Sequence, residues 1–185
     1  MILEIVKYGN PVLREKGRQV KEVDEKIKQL AADMIETMHA AHGVGLAAQQ
    51  VGVPIQMTVI DVAGVEDRPS AMWINDKEVP IEEHMPLILL NPVLKLSEEK
   101  EAGNEGCLSF PDITAEITRS LGVRCTATLL DGKKIEFEAA GLLARALQHE
   151  TDHLHGVLFI DRMNAATKAS MAGKLKRLQK ETKGG

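Results

Sequence analysis

Between Asp24 and Met38 the apolar residues Ile27, Leu30, Ala31, Met34, Ile35 and Met38 recur at helical spacing. Asp24 offers an N-cap and Gly43 lies beyond the end, so the pattern predicts an amphipathic helix. The run that follows, Gly43-Val44-Gly45-Leu46-Ala47-Ala48-Gln49-Gln50-Val51-Gly52, is small and glycine-rich, a composition that lets backbone approach a neighbour closely. Residues 56–62 and 87–96 read as strands. The stretch between them, 63–86, carries Pro69, Pro80 and Pro86 amid charge and reads as a mobile insertion, either a cover over a cleft or a surface loop. Residues 123–130 and 133–138 flank Asp131-Gly132, a dipeptide suited to a two-residue hairpin turn. Leu142, Leu143, Ala146 and Leu147 return to helical spacing in a segment that starts near Gly141 and closes at Gly156. Met171, Leu175 and Leu178 predict a third helix, with Gly173 a weak point inside it.

At 185 residues, 44% hydrophobic and 27% charged, the chain has the balance of one globular domain. Its core is large enough to need neither disulfides nor a structural metal, so a metal site would be functional. No apolar run approaches the roughly 18 residues of a membrane span, and the N-terminus carries Glu4 without an export signal. Residence in the cytoplasm is the expectation, and a disulfide between Cys107 and Cys125 is not. Cys125, in an alternating strand, fits a small buried hydrophobe. The net charge of −4 argues against nucleic-acid binding over the whole surface, and no specific DNA partner is expected. Charge is uneven, however: residues 164–185 hold six Lys or Arg against one Glu, leaving the body acidic.

His149-Glu150-Thr151-Asp152-His153 sets two imidazoles four residues apart, on a helix roughly 40° of rotation and 6 Å of rise, so both can reach one ion. A catalytic ion needs a third protein ligand and an open position for water. Phe159 stands where an extended metzincin pattern requires histidine, and His155 lies about 200° around the helix from His153. Cys107, within Glu105-Gly106-Cys107-Leu108-Ser109, is the best remaining candidate, because thiolate binds borderline-soft divalent ions strongly and Gly106 permits close approach. Such a His2Cys set accepts Fe(II), Zn(II), Co(II) or Ni(II). Glu150, beside the ligands, is placed to move a proton, and Gln50 has an amide N–H suited to a developing oxyanion. Gln50 equally suits a helix cap beside the glycine run.

Three segments, Gly43 to Gln50, Glu105 to Ser109 and Gln148 to Leu154, closely resemble the three motifs of peptide deformylases, in the family's order and spacing. Tyr8-Gly9-Asn10-Pro11-Val12-Leu13-Arg14 is also family-like, and the resemblance covers about residues 1–163. It implies an α+β fold in which antiparallel β-sheets surround a central HExxH-bearing helix, with an N-terminal helix and a C-terminal helix. Residues 1–163 would be the catalytic domain and 164–185 its basic helical tail. The implied reaction is hydrolytic removal of the formyl group from nascent formylmethionyl peptides. By the same likeness Cys107, His149 and His153 hold the metal, and Fe(II) is the favoured ion. Glu150 handles the proton, Gln50 and the Leu108 N–H bind the oxyanion, and the Gly43, Val44 and Gly45 backbone pairs with the peptide. Glu105 takes Arg119 as its partner. Leu142, Val44, Arg145 and Ala146 fall where the methionine pocket is lined, and Gly106 lies beside it. Arg145 stands where the family often has an apolar residue, so either its head reaches solvent or the pocket edge is polar.

The Gly43–Gly45 run is no dinucleotide fingerprint, since a helix precedes it. Two rival functions remain at this level: a zinc endopeptidase using the same HExxH pair, and a non-catalytic ribosome-associated protein with a structural metal. Relatives dock C-terminal helices on the ribosome, so the basic tail carries the same expectation here.

Overall fold

The computed structural model describes residues 1–184. It is a mixed α+β fold with three α-helices and antiparallel sheets. Strands β1 (Gly45–Ala47), β2 (Met57–Ile60), β3 (Ser70–Ile74), β4 (Lys77–Val79), β5 (Leu87–Leu96), β8 (Gly122–Thr128) and β9 (Lys134–Gly141) form a seven-stranded sheet in the order β1-β2-β5-β8-β9-β3-β4. Strands β6 (Lys100–Cys107) and β7 (Phe110–Ser120) form a separate ribbon. Because β1 ends the larger sheet, one of its edges has no strand partner.

Helix α1 (Glu25–Ala40) starts where the pattern places it, with the Asp24 carboxylate accepting the Ile27 N–H at 2.9 Å. Its Ala31, Met34 and Met38 are fully buried against Leu46, Met57 and Val59 of β1 and β2. Helix α2 (Leu142–Leu154) carries His149 and His153 and packs against β1, β2, β3, β5, β7, β8 and β9. Its Leu143, Leu147 and Leu154 are wholly buried, and truncating one to alanine costs about 2–5 kcal/mol. Gln148 ties the helix to the ribbon: its Oε1 accepts the Ser120 N–H at 3.0 Å and its Nε2 donates to the Ser120 carbonyl at 2.9 Å. Helix α3 (Ala165–Gly184) runs unbroken through Gly173, and its Leu175 and Leu178 pack with Phe110, Ile117 and Phe159. Residue 185, the last of the predicted tail, lies outside the described residues.

Two expectations are corrected. Residues 63–86 are more than a surface loop, since β3 pairs with β9 and β4 extends the sheet, placing Met72 in the core. The hairpin between β8 and β9 has a longer turn than two residues. Gly132 N–H donates to the Leu129 carbonyl and Leu129 N–H to Lys133, with Gly132 alone at positive φ (83°). That is a type I turn followed by a left-handed glycine, whose geometry suits twisted strands as well as the shorter turn.

Candidate active site

A cleft of about 500 Å³ opens between β1, the β6–β7 ribbon and α2. Three elements supply its chemistry. Helix α2 presents His149, Glu150 and His153, and its start depends on Gly141, whose φ is 71°. A Cβ on Gly141 would lie 2.1 Å from the Pro69 carbonyl oxygen, which instead accepts the Leu142 N–H at 3.1 Å. The ribbon presents Cys107 at the end of β6, just before the Leu108-Ser109 turn. The register shifts between Gly106 and Cys107, where extra residues on β7, including Asp112 at φ 60°, turn the cysteine toward α2. The third element is the short 3-10 helix Ala48–Val51, which carries Gln50.

Cys107 Sγ lies 3.3 Å from His153 Nε2, and one ligand atom each from Cys107, His149 and His153 fall within 4.8 Å of one another. A tetrahedral ion with metal–sulfur and metal–nitrogen bonds of about 2.3 and 2.05 Å holds such atoms about 3.5 Å apart, so the donor set fits a divalent cation. His149 Nδ1 donates to Glu105 Oε1 at 2.9 Å, which turns Nε2 toward the other two donors. Burial opposes its charge, but hydrogen bonds with Cys107 and Glu105 outweigh it and raise its pKa well above the ordinary value, so a bound cation would take the place of the Nε2 proton. Burial, reinforced by the nearby His149, holds His153 well below its ordinary pKa and so in the neutral form a cation binds. His153 Nδ1 is buried without a protein partner.

Glu105 is the hub beneath the ligands. Arg119 donates to both of its oxygens, at 2.8 and 3.0 Å, and Arg145 Nη1 adds a third contact at 2.7 Å. Burial works against the charge, but the hydrogen bonds from His149 and Arg119 outweigh it and hold the carboxyl at about 2. Arg119 reaches on to Asp152 at 2.7 Å, and Arg162 closes the chain on the same carboxylate. Asp152 and Arg162 are members of this network that the sequence reading did not single out. Asp152 sits within the HExxH segment itself, and that position was its one available signal.

Glu150 is 4% exposed, its Oε2 has no hydrogen-bond partner, and its Oε1 lies 3.8 Å from His149 Nε2. Burial pushes its pKa up to about 7 against the lowering effect of His149. Gln50 serves as the cap and turns its amide N–H toward the cysteine. Its Oε1 caps the Ala47 N–H at 3.0 Å, while Nε2 donates to Ser109 Oγ at 3.1 Å and lies 3.6 Å from Cys107 Sγ. Cys125 is fully buried, and burial pushes its thiol up to about 12, so it takes no part.

Gly43, Val44, Gly45, Gly106, Leu108, Leu142, Arg145 and Ala146 all line the cleft, whereas Arg119 lies behind Glu105. The Arg145 head does not reach solvent: besides Glu105 it donates to the Ile117 and Glu101 carbonyls at 2.8 and 2.9 Å. The family-like N-terminal segment lies beneath the site, where Tyr8 stacks on Phe110, Phe110 meets Phe159 edge-on and Phe159 lies 5.9 Å from His149.

Residues 2–169 match the family described as Polypeptide deformylase. A peptide deformylase of Methylacidiphilum infernorum is 46% identical over 97% of this chain and 94% of its own length. One of Opitutus terrae is 40% identical over 99% of this chain and 96% of its own. The crystal structure of peptide deformylase from Thermotoga maritima superposes with a TM-score of 0.76 at 38% identity, covering 89% of this chain and 99% of that one. That of Ehrlichia chaffeensis in complex with actinonin gives 0.80 at 33% identity, covering 95% and 96%. The chain therefore belongs to the polypeptide deformylase family, metal-dependent hydrolases that remove the formyl group from the N-terminal formylmethionine of nascent peptides.

Proposed function

We propose that Cys107, His149 and His153 hold one Fe(II) ion in this chain, and that the surrounding residues divide the work of deformylation as follows. The observation that carries this reading is the convergence of a cysteine sulfur and two imidazoles beside a buried carboxyl group with one unpartnered oxygen. When bound, the cation supplies Lewis acidity and lowers the pKa of water toward neutrality. Glu150 Oε2 takes the proton of the attacking water and later delivers it to the leaving amine nitrogen. A carboxyl pKa of about 7 suits both halves of that transfer near neutral pH. Gln50 Nε2 and the Leu108 N–H donate to the oxyanion that forms on the formyl carbon. Gln50 is already oriented by its bonds to Ala47 and Ser109, so no reorganisation is needed as charge develops.

The peptide backbone pairs along Gly43, Val44 and Gly45, where β1 leaves an edge open. The methionine side chain lies against Val44, Leu142, Ala146 and the stem of Arg145, with Glu105 and Gly106 behind it. Helix α2 is the central helix that the sheets surround. Residues 1–163 form the catalytic domain, and the basic tail from 164 onward docks on the ribosome in the cytoplasm. No helix among the described residues is long and apolar enough to cross a membrane.

The test is formate release from a formyl-Met peptide by anaerobically purified protein, with bound iron measured in parallel. Glu150→Ala is expected to lose turnover and keep its metal, whereas Cys107→Ala loses both. Full turnover in either variant, or turnover of unformylated peptides at the same rate, would overturn the assignment.

A further inference from the structure

Residues 62–70 form a strap between β2 and β3 that is fastened on both sides of one exposed arginine. On the near side Val62 is buried in the main core and Val65 packs against the same cluster. On the far side the Pro69 carbonyl accepts the Leu142 N–H at 3.1 Å, and Ser70 Oγ accepts the Leu143 N–H at 2.9 Å. These are two of the first N–H groups of α2, so the strap caps the helix that carries the metal ligands. Arg68 lies between the fastenings, and the proline after it restricts its backbone to extended conformations.

Arg68 lines the same cleft as Val44, Leu142 and Glu150. The other cleft guanidinium, Arg145, is buried and fully committed to Glu105 and two carbonyls. Among the described residues Arg68 is the only exposed Lys or Arg lining the cleft, and it forms no ion pair there. Of the cleft carboxylates, Glu105 is already neutralised by Arg119, Glu150 is buried, and Asp112 is exposed on β7. An unpaired cation, held at the mouth by a strap anchored three residues before it and one after, is positioned to meet the part of a peptide that leaves the cleft.

We propose that Arg68 is a specificity-determining residue that binds a carboxylate in the peptide just downstream of formylmethionine. The inference rests on the deformylase reading of the site. Two sources share that chemistry: an Asp or Glu side chain in the first residues after methionine, and the terminal carboxylate of a very short peptide.

The test measures kcat/KM of the metal-loaded enzyme on formyl-Met-Ala-Xaa amides, with Xaa Glu, Gln or Lys, and on formyl-Met-Ala as free acid and as amide. Wild type is expected to favour Glu over Gln about two- to fivefold, through KM, as befits one solvent-exposed charge pair. The preference should shrink between 50 mM and 1 M salt, where screening shortens to about 3 Å. Arg68→Ala should bring the Glu/Gln ratio to about one, Arg68→Lys should restore it, and Arg68→Glu should shift preference to Lys. A response confined to the acid and amide pair identifies the terminal carboxylate as the group bound. Ratios that do not change with Arg68→Ala in either arm overturn the inference while leaving deformylation intact. No turnover of the Gln peptide by wild type would instead overturn the parent reading and this inference with it.

Discussion

The backbone of Gly45 is packed directly against the Glu150 carboxylate: a Cβ at position 45 would lie 2.9 Å from Glu150 Cγ and 3.0 Å from Cδ. The glycine in the edge strand thus makes room for the proposed proton carrier. Gly45→Ala should leave the sheet formed, because β1 pairs with β2 through its backbone, but it should push Glu150 out of line. A misplacement of that kind is expected to lower kcat by about 10²-fold. Steady-state kinetics beside a thermal melt checks this, and a variant with full kcat would show that the carboxylate can move without cost.

Arg145 joins helix α2 to the ribbon by three hydrogen bonds, one of them to the carboxylate that orients His149. Arg145→Met keeps much of the apolar stem but leaves the Ile117 and Glu101 carbonyls and one Glu105 oxygen short of a donor. Stability is expected to fall by about 3 kcal/mol, since one partner of a buried network is removed and the others stay. Metal affinity should fall about tenfold through the loosened Glu105. Denaturant unfolding and competition with a chelator measure the two effects separately.

Helix α1, with its Asp24 cap, and the HExxH helix were legible in sequence because local periodicity and capping specify them. The β6–β7 ribbon was not. Along β7 the inward positions alternate, but one of them is Arg119, and the bulge around Asp112 breaks the period. The inward Arg119 is stable there only because Glu105 and Asp152 meet it, 14 and 33 residues away. Arg145 is a similar case, since its partner Glu105 lies 40 residues back and no local pattern reveals the pairing. Residues 63–86 misled for another reason. Their prolines and charges are those of a loop, while the pairing that makes β3 a strand is supplied by β9, far along the chain.

Ser70 caps α2 from outside the helix, accepting the Leu143 N–H at 2.9 Å, and Gly141 at the N-cap offers no side chain to replace it. Ser70→Ala should therefore cost about 1 kcal/mol, as loss of a helix cap does elsewhere. Ser70→Thr, which keeps the hydroxyl, should recover most of the loss. Equal unfolding midpoints for wild type and Ser70→Ala would mean that the Pro69 carbonyl contact alone anchors the strap.

Arg14 grips Asp161 with both terminal nitrogens, at 2.6 and 3.1 Å, fastening the family-like N-terminal segment to the turn that follows α2. Burial opposes the Asp161 charge, but Arg14, helped by the Leu158 N–H, outweighs it and holds the carboxyl below its ordinary value. A carboxylate whose pKa is lower folded than unfolded contributes stability that is complete above the unfolded value, about 3.9, and is lost as pH falls through the lower folded one. Asp161→Asn should thus be destabilised at pH 7, by no more than about 1 kcal/mol because the pair is partly exposed and screened. As pH drops below about 4, wild type loses the same increment and the two unfolding curves converge. Urea unfolding of both proteins at pH 7, 4 and 3 measures this, and a difference that stays constant across that range would place the contribution of Asp161 in its hydrogen bonding to Leu158 and not in its charge.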